Sequence, residues 1–280
     1  MPALEQVTGV VTHHGEGPVW SERWGGLRWV DMLAGDVLSL GADGTVVRTH
    51  VGAVAAAVRP RAGGGAVIGI ERGFALEEQD GTVRSLGEVW IDASIRMNEG
   101  GCDPHGRFYC GSMAYDKRPG AAALWRLDAD GSVHCVLRDV TVSNGLDWSP
   151  DGTLAYYNDT DTHRISVFHY DRETGLTERR TFAEIDGRPD GLTVDAEGGV
   201  WTALSDRGLV QRYTPDGALD AVLVVPTRKV TACAFGGARL DELYITTSRE
   251  NLPPGADPRA GALFRALPGV AGRPVLEFAG

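Results

Sequence analysis

Ser143-Asn144-Gly145-Leu146-Asp147-Trp148-Ser149-Pro150-Asp151-Gly152 is the stretch whose wording the rest of the chain repeats. Its Asp-Gly pair supplies the positive φ that a tight hairpin demands, and the apolar and aromatic residues 154–158 behind it read as a strand. The same order of unit, turn and strand begins at Glu16-Gly17-Pro18-Val19-Trp20-Ser21, at Glu99-Gly100-Gly101-Cys102-Asp103-Pro104 and at Asp190-Gly191-Leu192-Thr193-Val194-Asp195. Two weaker copies are Ala55-Ala56-Ala57-Val58-Arg59-Pro60 and Thr231-Ala232-Cys233-Ala234-Phe235-Gly236. With starts at 16, 55, 99, 144, 190 and 231, the period is roughly 40 to 45 residues, enough for four short strands.

No long stretch keeps apolar residues at helical spacing, so the chain reads as all-β. A four-stranded unit repeated six times buries its faces only by stacking around an axis, which predicts a six-bladed β-propeller. Outer strands are expected within 36–48, 124–137, 165–177, 209–225 and 262–278, and residues 6–11 are expected to pair with the last blade and close the ring. No Pro-, Ser- or charge-rich linker divides the units, so residues 1–280 read as one domain, with the Pro-containing piece 251–258 a loop of the sixth blade.

Asp and Glu number 38 against 27 Lys and Arg, a formal net charge of -11 that disfavours nucleic acid and anionic membranes as partners. The N-terminus has no basic segment followed by a long apolar one, and no apolar run is long enough to span a bilayer, so a soluble, cytoplasmic protein is expected. Cys102, Cys110, Cys135 and Cys233 form no Cys-x-x-Cys pair and read as reduced, mostly buried thiols.

In a propeller the first strand of each blade lines the axis, so Glu16, Ala55, Glu99, Asn144, Asp190 and Thr231 are expected at one channel mouth. Any one Glu-Gly, Asn-Gly or Asp-Gly pair alone is an ordinary turn. Their equivalent places in the repeat instead predict three converging carboxylates and an amide oxygen, an arrangement that is costly unless a cation sits among them. Oxygen donors suit Ca²⁺, Mg²⁺ or Mn²⁺, and carboxylates also hold Zn²⁺. His13 and His14 alternate faces, so at most one points inward. The partial calcium-loop pattern Asn158-Asp159-Thr160-Asp161 lacks the Gly and the closing Glu, and reads as a solvated blade edge. Nucleophile-elbow, His-Glu-x-x-His, Walker A and Gly-x-Gly-x-x-Gly motifs are absent.

The stretches 15–20, 96–107, 143–152, 189–195 and 231–237 resemble the senescence-marker-protein-30, gluconolactonase and luciferin-regenerating-enzyme (regucalcin-like) family. The resemblance implies a six-bladed propeller lactonase that uses one divalent metal ion to open a small sugar (aldono-) lactone to the aldonic acid. By the same resemblance Glu16, Asn144 and Asp190 fall where the family holds its metal, and Asp190 where it places a general base. Arg96 and Asn98 fall where it holds substrate, as does Asp116 in some members. The family usually reads Arg-x-Asn-Asp, whereas this chain has Arg96-Met97-Asn98-Glu99, leaving Glu99 to reach substrate, metal or a bound water. Alternatives are a phosphotriester or fluorophosphate hydrolase on the same fold, and a non-catalytic propeller that binds calcium or a partner.

Overall fold

The computed structural model describes residues 4–280. It contains six antiparallel sheets of four strands, the six blades of a β-propeller. The inner strands are Gly15–Ser21, Ala55–Pro60, Ile95–Cys102, Ser143–Trp148, Pro189–Val194 and Val230–Gly236. All six copies of the repeat unit therefore lie on inner strands. Residues of these strands are almost wholly buried, because the faces of neighbouring blades pack against one another around the axis.

Every inner strand carries a register shift against its neighbour at the same height, for example between Glu16 and Val19, Met97 and Gly100, Ser143 and Leu146, and Pro189 and Leu192. A bulge leaves ladder positions unpaired and re-aims side chains. The glycine after the polar residue is demanded by packing at two of these bulges. A Cβ on Gly145 would lie 2.3 Å from the Leu192 nitrogen, and one on Gly191 would lie 2.4 Å from the Ala232 Cβ.

The ring closes with the N-terminal strand Leu4–Gln6 as the outermost strand of the sixth blade, paired with Phe264–Ala266. The predicted closure thus falls at 4–6, two residues earlier than the segment 6–11. Residues 7–12 follow beside the blade through bonds from the Val7 N–H to the Leu263 carbonyl and from the Thr12 N–H to the Gly261 carbonyl. The expected pair of strands within 262–278 is reduced to Phe264–Ala266. The fourth place in that sheet is taken by the N-terminus, and the prolines and glycines from Pro268 to Pro274 do not sustain a ladder.

Residues 267–280 instead cross the far end of the ring. The Gly272 N–H donates to the Leu240 carbonyl, the Phe278 N–H to that of Pro60, and the Ala279 N–H to that of Gly106, which ties three blades together. The four cysteines are unpaired, with Cys102, Cys110 and Cys233 buried and Cys135 half-buried. Among the described residues, no helix is long and apolar enough to cross a membrane.

Candidate functional site

The N-terminal ends of the inner strands open into a cavity of about 410 Å³, the upper cavity, whose wall includes Glu16, Arg96, Asn98, Asn144, Asp190 and Thr231. The registers settle which residues are equivalent. In the first, fourth and fifth blades the order is polar residue then glycine, Glu16-Gly17, Asn144-Gly145 and Asp190-Gly191, at the bulge. In the third blade the count of four back from the last ladder pair that gives Asn144 and Asp190, taken from Cys102 with Phe108, puts Asn98 at the polar position and Glu99 at the glycine position. The alignment that placed Glu99 beside Glu16 at the channel mouth is therefore corrected by one residue.

Glu99 points into a second cavity of about 80 Å³ toward the far end of the axis, lined also by Arg59, Asp147, Cys233 and the C-terminal segment around Arg273. Its Oε2 is buried without a hydrogen-bond partner. The expected trio of carboxylates is thus a pair. Among the described residues no three His, Cys, Asp or Glu side chains come together in a metal-sized cluster, so a third protein donor beside Glu16 and Asp190 would be an amide.

Asn144 is oriented for that part. The Thr160 hydroxyl donates to the Pro189 carbonyl at 2.7 Å, so it must accept from the Asn144 amide nitrogen, also at 2.7 Å. That turns the Asn144 Oδ1 the other way, where it accepts from the Asn98 Nδ2 at 2.8 Å and keeps its second lone pair free. Asn98 also donates to the Ser143 carbonyl at 2.7 Å and accepts from the Arg96 Nη1 at 2.7 Å, so both its amide protons are engaged. Arg96 is 4% exposed, and the same Nη1 lies 3.0 Å from the Met32 Sδ. The Arg96 Nε is buried without a partner, while the residue itself lines the cavity wall.

Burial pushes the Glu16 carboxyl well above its ordinary range, and the neighbouring Asp190 and Glu99 add to the shift. Burial likewise raises Asp190 to about 7, against the opposing pull of Ser205, Lys117 and Arg188. Burial, then Asp190, raises Glu99 to about 8. Glu16 accepts only the N–H of its own neighbour Gly17 at 3.1 Å. Two buried, mutually repelling carboxylates beside an oriented amide oxygen form a donor set that fits a hard divalent cation.

Stability should report this strain in metal-free protein. An acid whose folded pKa lies above its unfolded one loses stability as pH rises, because the unfolded chain ionises first. Glu99, raised from 4.5 to about 8, and Asp190, raised from 3.8 to about 7, both act in that sense. His14, lowered by burial from 6.5 to about 4, acts oppositely, but only below pH 6.5. Between pH 6.5 and 8 His14 no longer opposes the carboxylates. Chemical denaturation in chelator should then show stability falling by about 1.4 kcal/mol per pH unit for each proton retained by the folded state. A flat or rising profile would show that these groups are already ionised.

Asp116 is not brought to the cavity. Its side chain is 58% exposed and lies 3.2 Å from Arg118, while Tyr115 and Lys117 on either side line the wall. Asp116→Ala is expected to leave kcat/KM within about twofold, as suits an exposed ion pair, and a larger loss in steady-state assays would place it at the substrate.

Of the two histidines, His14 is buried against the cavity with its Nδ1 2.7 Å from the Ser248 Oγ, and His13 is exposed. Of the segment 158–161 only Asp161 is exposed, so it is not a solvated edge as a whole. Asn158 is fully buried and its Nδ2 donates to the Asp190 carbonyl at 2.7 Å, while Asp159 accepts the N–H groups of Thr141 and Val142. Asp31 does the same for His13 and His14, and Asp206 accepts the N–H of Arg188, so an Asp at or just past the end of the second strand pins the start of the first in three blades. That recurrence was a readable signal. Glu250, Lys229 and Ser205 also line the cavity, from loops with no repeat pattern to announce them. Burial alone would raise Glu250, yet His14, Lys229, Arg96 and Lys117 hold it below its ordinary value.

The family model described as SMP-30/Gluconolactonase/LRE-like region matches residues 14–249. The chain is 35% identical to regucalcin of Sus scrofa over 96% of this chain and 95% of that protein. It is 36% identical to pentonolactonase XacC of Haloferax volcanii, over 93% and 92%. A solved structure of a calcium-binding protein, regucalcin, from Agrobacterium tumefaciens superposes with a TM-score of 0.92 at 28% identity, covering 99% of this chain and 97% of that one.

Proposed function

Since the chain belongs to the SMP-30/gluconolactonase/LRE-like family, we propose that it hydrolyses a small sugar lactone to the aldonic acid with one divalent cation in the upper cavity. The observation that carries this reading is the pairing of the buried Glu16 and Asp190 carboxylates with the oriented Asn144 oxygen. The name of the pentonolactonase relative supports the reaction class, and that of the calcium-binding relative supports a divalent ion.

Glu16, Asn144 and Asp190 would hold the ion, which when bound supplies Lewis-acid polarisation of the lactone carbonyl and offsets charge developing on its oxygen. Asp190 takes a proton from the attacking water through its carboxylate. Arg96 presents the guanidinium edge that Nη1 leaves unused to a substrate oxygen, and Asn98 fixes both Arg96 and Asn144. Glu99, on the far side of the bulge, faces away from the substrate.

A pH-drop assay over a panel of aldonolactones, run in turn with Ca²⁺, Zn²⁺, Mn²⁺ and Mg²⁺, tests the reading. Ring opening with at least one ion is expected, and no turnover with any of them would sink it. Should the protein bind calcium tightly and turn over nothing, a non-catalytic calcium-binding propeller takes its place.

Arg96→Ala is expected to lower kcat/KM by about 10- to 100-fold, mainly through KM, the loss of one hydrogen bond to a charged group. Metal content should not change, because a guanidinium cannot ligate a cation. Arg96→Lys should not rescue it, since an ammonium lacks the planar fork that spans Asn98, Met32 and the cavity. Loss of metal from Arg96→Ala would show that Arg96 orders the ligands instead.

A further inference from the structure

The chain as a whole is strongly acidic, yet five Arg or Lys side chains line the upper cavity against four Asp or Glu. Glu16 and Asp190 lie at the buried floor, where a divalent cation would neutralise both. Above them Lys117, Arg188, Arg228 and Lys229 stand around the rim. Arg188, Arg228 and Lys229 immediately precede the inner strands of the fifth and sixth blades, and Lys117 follows the second strand of the third.

Three of these cations make no close ion pair, with the Glu250 carboxylate near Lys117 and Lys229 acting on them from the same wall. Arg188 is paired with Asp161 at 2.5 Å. Among the described residues, Lys117, Arg228 and Lys229 make no ion pair. The Arg228 side chain donates only to the Asp206 carbonyl at 3.3 Å, and the Lys229 side chain only to the Glu250 carbonyl. Elsewhere on this acidic surface most arginines are matched with an Asp or Glu, as Arg48, Arg107 and Arg212 are.

A neutral lactone offers such a rim only hydroxyl oxygens. A carboxylate, sulfonate or phosphate accepts short charge-assisted hydrogen bonds from several cations at once, and a cationic rim counters the repulsion that the chain's net charge exerts on an arriving anion.

We propose that Lys117, Arg228 and Lys229 form a subsite for an anionic group on the sugar, remote from the lactone carbonyl, so that the preferred substrate is an acidic sugar lactone. This rests on the lactonase reading above. The floor handles the carbonyl and the rim reads the far end of the molecule.

The test compares kcat/KM for one aldonolactone with its derivatives bearing a terminal carboxylate, sulfonate or phosphate, in the metal-loaded parent and in Lys117→Met/Arg228→Met. The three derivatives identify which anion fits best. At least one should be favoured by about tenfold or more over the neutral lactone, as one charge-assisted contact implies. The preference should shrink as NaCl rises, because exposed cations are screened, and should fall toward unity in the variant. Equal kcat/KM for neutral and anionic lactones would overturn the subsite while leaving the lactonase reading intact.

Calorimetric titration with the corresponding sugar acids separates the remaining cases. If no lactone is hydrolysed but an anionic sugar acid binds the parent and not the variant, the subsite stands and the lactonase reading falls. If nothing is hydrolysed and nothing binds, both fall.

Discussion

Asp190→Asn is expected to lower kcat by about 10² to 10⁴, the range for removing a general base, while the protein keeps appreciable metal. The amide oxygen still offers a donor to the ion, but the side chain no longer accepts a proton. The register of the inner strands gives this substitution its contrast. Glu99 sits at the glycine position of its bulge and faces the far cavity, and burial holds it protonated up to about pH 8. Glu99→Gln is nearly isosteric with that protonated acid, so its loss of kcat should stay within about tenfold, the lower edge of what indirect partners of a metal site cost. Measuring kcat at saturating metal for both variants decides the matter. A fast Asp190→Asn beside a dead Glu99→Gln would move the base to Glu99.

Strong chelation is expected to abolish turnover, and one equivalent of a suitable divalent ion per chain should restore it. Glu16 and Asp190 with Asn144 make a single set of donors, and without an ion the two carboxylates repel each other across a buried floor. The ion should also raise the melting temperature, since a ligand held by the folded state alone stabilises it by about 2.7 kcal/mol at a hundred times its Kd. Loading should further flatten the pH dependence between pH 6.5 and 8, because a cation replaces the protons that the folded carboxylates would otherwise retain. Turnover that persists in protein verified as metal-free would overturn the assignment of a metal-assisted reaction. Turnover lost without any change in melting temperature would mean that the chelator acts elsewhere than at this floor.

The C-terminal segment shows how a correct period can still misplace an element. Residues 262–278 carry enough apolar residues to read as two strands, but the N-terminal strand Leu4–Gln6 fills the outer edge of the sixth blade and displaces them. The chain then runs across the far end of the ring, where Phe278 is buried between blades. Which of two chain ends occupies one sheet edge depends on ring closure, and no local pattern encodes that.

What the sequence determined by itself is the six-fold repeat, and with it the propeller and the inward-facing places of Glu16, Asn144 and Asp190. Turn chemistry and a polar-Gly step are written in adjacent residues, and the repeat carries them to the same height in each blade. Tertiary structure alone decided that Asn98 takes the equivalent place in the third blade while Glu99 looks away, because at a bulge the ladder to the neighbouring strand settles which residue turns inward. It alone left Asp116 in solvent and gathered Lys117, Lys229 and Glu250 around the mouth. These residues come from loops of different blades, and only closing the ring sets how far apart they stand.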